Sequence, residues 1–232
     1  MVNHYECLMG TAKCLADLGV RVFALQPGTK LPKHGCKWDV EATNNVQALP
    51  AMFPKGQNWG LAALMGPSSG VMDCEPDSPE AYALLEQMIQ QAQIRTVAYR
   101  AARGNHYWFQ WDADLAAFGV SVVKADYLEC RLGQQDSAVY SACPPSIHPL
   151  TQQYYSWLPG CAPWETRIAL IPGPLKHWFL TNYSKTRTAV KRTTTVCAED
   201  DGLLPEVGNR HEYLLRLSTI LAADLRLPKN LV

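Results

Sequence analysis

What this chain lacks narrows its class before any motif is read. No apolar run among its 232 residues approaches the roughly 20 needed to cross a bilayer. The opening MVNHYECLMGTAKCLADLG carries acids and no continuous apolar core, so the pattern predicts neither a membrane span nor a signal peptide. There is no C-x-x-C pair and no zinc-ligand rhythm among its eight cysteines. Several of them lie in apolar, strand-like runs, where a free thiol behaves as a small hydrophobe, and reduced cysteines in a cytoplasm are the expectation. Internal repeats and low-complexity tracts are absent. So is any net charge, with 21 Lys and Arg against 21 Asp and Glu. Hydrophobic content of 47% beside 18% charged residues is that of an ordered globular protein and excludes general disorder.

The zero net charge hides an asymmetry. Residues 176–232 hold 9 basic and 6 acidic side chains, and the preceding 175 residues hold 12 and 15. Within the tail, KHWFLTNYSKTRTAVKR carries five Lys or Arg, no acid, and the rings Trp178, Phe179 and Tyr183. Cations interleaved with stackable rings suit a single nucleic-acid strand, and equally a solvated face with a few rings turned inward.

Periodicity predicts a helix over 5–18, stopped by Gly19, then a strand in VRVFAL and a polar loop, QPGTKLPKHGCKW. A short helix capped by Thr43 follows, and then the strands NWGLAALM and GVMDCE, joined by the turn GPSSG. Ser78 and Pro79 open a helix over 78–92. RTVAYRA and HYWFQW read as a hairpin about RGN, and YLECRL and SAVYSA as a second across GQQD. A proline-broken segment leads to the basic stretch, and a last apolar-striped helix lies in RHEYLLRLSTILAADLRL. The order implies an α+β (mixed α/β) fold with helices on antiparallel or mixed sheets. A boundary near 195 separates a domain over 1–195 from the start of a helical appendage over 196–232.

GVMDCEPD places three acids in five positions. Asp77 belongs with the helix start. Asp73 and Glu75, two apart on a strand, project to one face and repel unless something positive compensates, for which a divalent cation is the usual candidate. His106 opens a strand after a glycine turn, where backbone amides and Arg103 could gather around an anion. Glu129 interrupts an apolar strand and so faces solvent or a site, with Arg131 on its face. ACPPSIHP marks a rigid corner.

Taken in order, GVRVFALQPGTKLPKHGCKW, NWGLAALMGPSSGVMDCE, ARGNHYWF, LECRLG and VYSACPPSIHP resemble the N-terminal catalytic domain of bifunctional DNA primase/polymerases, of the archaeo-eukaryotic primase superfamily. The likeness spans about 5 to about 160. It implies a nucleotidyltransferase acting on dNTPs or NTPs along a single-stranded DNA template, in replication of a plasmid, phage or integrated element. By position, Asp73, Glu75 and Glu129 become the ligands of two Mg2+ or Mn2+ ions and His106 the phosphate contact. Arg131 and Lys30, the latter in the G-x-K-x-P loop, join as nucleotide-binding residues. The family turn S-G-G-x-H reads A-R-G-N-H here, so a Ser hydroxyl is missing and Arg103 is its expected substitute. Glu129 replaces what is often Asp. Lys185, Arg187, Lys191 and Arg192 are the expected strand contacts. The late helical segment looks like the start of the module that often follows this domain, in a longer chain that carries or accompanies a helicase. A DNA-binding initiator module without catalysis and a metal-dependent nuclease remain open alternatives.

Overall fold

The computed structural model describes residues 3–102 and 104–183. In chain order the elements are α1 (His4–Asp17), β1 (Val22–Leu25), α2 (Trp38–Glu41), a 3-10 turn (Val46–Ala48), α3 (Leu49–Met52), β2 (Gly60–Met65), β3 (Val71–Pro76) and α4 (Pro79–Ala92). These are followed by β4 (Ala98–Arg100), β5 (Asn105–Gln110), α5 (Ala113–Ala116), β6 (Val122–Ala125), β7 (Leu128–Arg131), β8 (Val139–Cys143) and β9 (Ser156–Trp157). Residues 173–183 are helical. No helix among the described residues is long and apolar enough to cross a membrane.

Both long helices form where periodicity and caps predict them. In α1, Leu8, Met9, Ala12, Leu15 and Ala16 fall on one buried stripe, and Asn3 caps the start by accepting from the Tyr5 amide. In α4, Ser78 accepts from the Ala81 amide and Pro79 takes the first turn, while Ala81, Leu85, Met88 and Ile89 are buried. The short helical region near 43–53 is capped by Asn45, whose side chain accepts from the Gln47 amide. Thr43, the expected cap, instead accepts from the Asn45 amide in a tight turn.

The strands form two sheets, one of order β1-β2-β8 and one of order β6-β7-β3-β5-β4-β9, with every named pair antiparallel. The α+β class is as the sequence implies. Two expected pairings are corrected. β2 and β3, joined by GPSSG, lie in different sheets, and the only β-pairing between them is the isolated Gly66↔Val71 bridge at the turn. β7 and β8 likewise part at GQQD, and β7 pairs instead with β3 and with β6, a strand the sequence reading passed over. Both turns are therefore crossovers between sheets. They pass each other at Gly66 and Gly133: Gly133 has φ +58°, and a Cβ there would lie 2.4 Å from the Met65 carbonyl oxygen.

Two cores follow. One packs α1, α3 and the three-stranded sheet against Tyr99 and Trp108 of the larger sheet. The other packs α4 and the helical 173–183 against Met72, Cys74, Tyr107, Phe109 and Cys130 on its opposite face. The larger sheet is thus covered on both faces, and what faces the smaller sheet is screened from water.

Candidate active site

Strand alternation decides which β3 residues meet which layer. Met72 and Cys74 enter the α4 core, which turns Asp73 and Glu75 toward the smaller sheet. The register then assembles the rest. Asp73 stands opposite Arg131 on β7, and Glu75 opposite Glu129. On the other flank, β5 pairs Asp73 with Trp108 and Cys74 with Tyr107, which brings His106 beside Glu75. Gly104 lets the β4–β5 turn close against β3, since a Cβ there would fall 2.5 Å from Pro76 Cγ.

Five of the expected residues are thereby gathered: Asp73, Glu75, His106, Glu129 and Arg131. The three acids are buried, at 0%, 5% and 7% exposure. Glu129 therefore faces the site and not solvent. Positive charge alternates with negative along the cluster. Lys124 pairs with Glu129, Glu129 Oε1 accepts from Arg131 Nε (3.0 Å), and Arg131 Nη2 donates to Glu75 Oε1. Glu75 Oε2 lies 2.8 Å from His106 Nε2, and Asp73 Oδ2 lies 2.8 Å from His106 Nδ1. The guanidinium also reaches 3.9 Å from Asp73 Oδ2. Lys124 approaches Asp77 to 4.0 Å, so Asp77 takes part in this charge array as well as preceding α4.

The electrostatics follow from this alternation. Burial by itself raises the Glu75 pKa, but His106, Arg131 and Lys30 outweigh it and hold the carboxyl down to about 2. Burial would lower the His106 pKa, yet Asp73 and Glu75 push it up to about 9, so both ring nitrogens donate to carboxylates. Arg131 is likewise raised, against its own desolvation, by Glu75, Asp73 and Glu129.

Two residues that the sequence reading missed complete the site. Ser141 on β8, wholly buried, donates to Asp73 Oδ2 and accepts from Arg131 Nη1 (3.3 Å). Tyr99 on β4 stacks on the His106 ring at 4.6 Å between centroids, and its hydroxyl donates to the Ala142 carbonyl (2.9 Å) while standing 3.1 Å from His106 Nδ1. A single polar residue inside an apolar strand, as in VYSAC, is the signal that marks Ser141. Behind β5, Glu86 of α4 accepts from Tyr107 (2.7 Å) and Asn105 (2.9 Å), tying the helix to the residues that flank His106.

Lys30 lies in the exposed loop after β1, close enough to depress the Glu75 pKa, and its carbonyl accepts from Tyr140 (3.0 Å). Arg103, Lys185, Arg187, Lys191 and Arg192 lie outside the described residues, as does the predicted appendage over 196–232.

The donor set fits a hard divalent cation. It consists of three carboxylates and, among them, Asp73 Oδ1, which is buried and meets no donor among the described residues. Among those residues no three His, Cys, Asp or Glu side chains already close on one point as a metal cage. The Arg131 guanidinium stands where the carboxylates converge.

A family model described as bifunctional DNA primase/polymerase, N-terminal, matches residues 12–174. No curated protein matches the chain.

Proposed function

The chain belongs to the bifunctional DNA primase/polymerase N-terminal family, and from that premise and the site we propose a template-directed nucleotidyl transfer carried by Asp73, Glu75 and Glu129. Family membership supports a DNA primase/polymerase-type function, with DNA and nucleotides as substrates. The observation that carries the finer reading is the convergence of three buried carboxylates from two adjacent strands, one of them with an oxygen that meets no donor among the described residues, beside His106 and Arg131.

Asp73, Glu75 and Glu129 would hold two Mg2+ or Mn2+ ions. When bound, such ions neutralise a triphosphate and make a primer 3′-hydroxyl more acidic. The chain's own residues do the positioning. Ser141 and His106 fix Asp73 Oδ2 and so present Oδ1. Tyr99 holds the His106 ring in plane. Arg131 offers charge-assisted donors to phosphate oxygens, His106 adds positive charge beside them while its two N–H groups stay on Asp73 and Glu75, and the Lys30 loop lies nearby on the side of the smaller sheet.

Lys185, Arg187, Lys191 and Arg192 are the proposed contacts to the single-stranded template, and Arg103 a further phosphate contact. The domain is proposed to span 1–195, with 196–232 opening a helical module. A helicase working alongside and a plasmid, phage or integrated-element origin belong to the same reading.

The test is primer extension on a single-stranded template with dNTP and NTP mixtures. Wild type incorporates nucleotide in Mg2+ or Mn2+, and Asp73→Asn, which keeps the shape of the side chain, loses at least 100-fold. Incorporation at the wild-type rate by Asp73→Asn would overturn the assignment. Degradation of a labelled single strand without incorporation would favour the nuclease.

A further inference from the structure

The six carboxylate oxygens of the site are unequally committed. Glu75 Oε2 and Asp73 Oδ2 are held by His106, and Glu129 Oε2 by Lys124. Glu75 Oε1 and Glu129 Oε1 are both held by one group, the Arg131 guanidinium. Asp73 Oδ1 alone has no donor among the described residues. A divalent cation that takes a second protein oxygen meets one already held by a cationic donor, and the two positive groups repel across it.

Arg131 is the donor best placed to leave. Its side chain is 21% exposed against 9% for His106, so it has a route toward solvent. Its departure frees Glu75 Oε1 and Glu129 Oε1 in one movement. Together with Asp73 Oδ1 they make one open oxygen on each of the three acids, while His106, Ser141 and Lys124 keep their holds on the others. Lys124, more exposed still at 63%, reaches one of the three site acids, Glu129, and its departure would open a single oxygen there.

The charge count points the same way. Arg131 brings one positive charge to Glu75 and Glu129, where a divalent ion brings two. Exchanging the guanidinium for a divalent ion therefore adds one positive charge at the carboxylates and leaves the guanidinium free, both of which attract a polyanion.

We propose that Arg131 is an exchangeable counterion: its guanidinium bridges Glu75 and Glu129 until a divalent cation takes those oxygens, and it then turns to the incoming triphosphate. The proposal rests on the cation-binding reading of the three acids. Arg131 thus opposes one ligand and favours the other, which couples their binding.

Binding of Mn2+ alone, followed by electron paramagnetic resonance of the free ion, tests the exchange in wild type, Arg131→Gln and Asp73→Asn. Arg131→Gln should bind Mn2+ at least five-fold tighter than wild type, yet bind a non-hydrolysable dNTP at saturating Mn2+ at least ten-fold more weakly. Opposite shifts of this kind do not arise from a structural defect. Asp73→Asn should bind Mn2+ at least ten-fold more weakly. In wild type labelled with 15N-arginine, the Arg131 Nε–H resonance, assigned with Arg131→Lys, should move on Mg2+ addition, and this arm decides if Arg131→Gln does not fold. Unchanged or weaker Mn2+ binding by Arg131→Gln, with loss in Asp73→Asn, or an Arg131 resonance indifferent to Mg2+, would overturn the exchange and leave the cation site standing. No Mn2+ bound by any of the three would overturn the cation site, and the exchange with it.

Discussion

At the scale of single residues, the site is an answer to like charges in a dry place. Three carboxylates at 0–7% exposure persist because each has a cation or a hydroxyl within reach. Ser141 is the smallest of these supports and the cleanest to remove. Ser141→Ala should destabilise the fold by about 1–3 kcal/mol, the usual effect of stripping a donor from a buried polar group, as read by urea unfolding. It should also lower nucleotide incorporation, because Asp73 Oδ2 loses one of the donors that hold it. The ionisation of Glu75 and His106 sets a pH window. The folded His106 keeps its proton to about 9, above the unfolded 6.5, so its contribution is complete below 6.5 and is lost as pH rises through 9. The folded Glu75 stays ionised to about 2, below the unfolded 4.5, so its contribution is complete above 4.5 and is lost as pH falls through 2. Unfolding free energy should therefore be greatest between about 4.5 and 6.5 where these two groups decide it. On the alkaline side it should decline by roughly 3 kcal/mol, and that limb should vanish in His106→Gln. The pairs Asp73 with Glu75 and Glu129 with Arg131 were legible from spacing, because polar side chains two apart in an apolar strand share a face. The grouping of both pairs with His106 came from the family resemblance and not from spacing. Ser141 was not legible, because its meaning depends on Asp73, 68 positions away.

At the scale of elements, everything turns on β3, which carries two acids and sits between β7 and β5. Its register with β7 sets Glu75 against Glu129, and a slip of β3 by one residue would send Asp73 and Glu75 into the α4 core. The point that fixes β7 lengthwise is Gly133, just past its end, where the two crossovers touch. Gly133→Ala places a Cβ 2.4 Å from the Met65 carbonyl oxygen in a backbone with φ +58°. It should destabilise by about 2–4 kcal/mol, combining a left-handed conformation with overpacking, and lower incorporation more than its stability loss explains, since β7 carries Glu129 and Arg131. Thermal unfolding beside single-turnover incorporation separates the two effects. Seven of the strands were legible and β6 and β9 were not, while the β4–β5 hairpin was. The pairing of β2 with β3 and of β7 with β8 was misread for one physical reason. A short glycine turn between two strands looks the same whether the chain folds back into its own sheet or steps across to another, and only the burial of both faces of the larger sheet decides between them.

At the scale of the whole molecule, the balance of charge bears on how a polyanionic template is met. Residues 1–175 carry three more acids than bases, and 176–232 three more bases than acids. The acids that matter most are buried and neutralised within the site, so they repel a strand less than their number suggests. Some basic side chains are already engaged: Lys33 of the first segment lies over the Trp59 ring at 5.2 Å, and Lys176, which opens the second, pairs with Asp112 and Asp114. On the proposed function, template affinity would rest on local cations, Lys30 near the site and the run Lys185, Arg187, Lys191 and Arg192. Counterion release makes the consequence measurable, because each phosphate neutralised on a single strand steepens the fall of log affinity with log salt by about 0.7. Replacing those four residues by Gln should flatten the slope for a single-stranded oligonucleotide by roughly 2–3 if they contact phosphates, while leaving the affinity for Mn2+ at the site unchanged. Fluorescence anisotropy between low and moderate salt reads the slope directly. A slope equal to that of wild type would remove the run from the strand-binding surface and assign the template to the loop around Lys30.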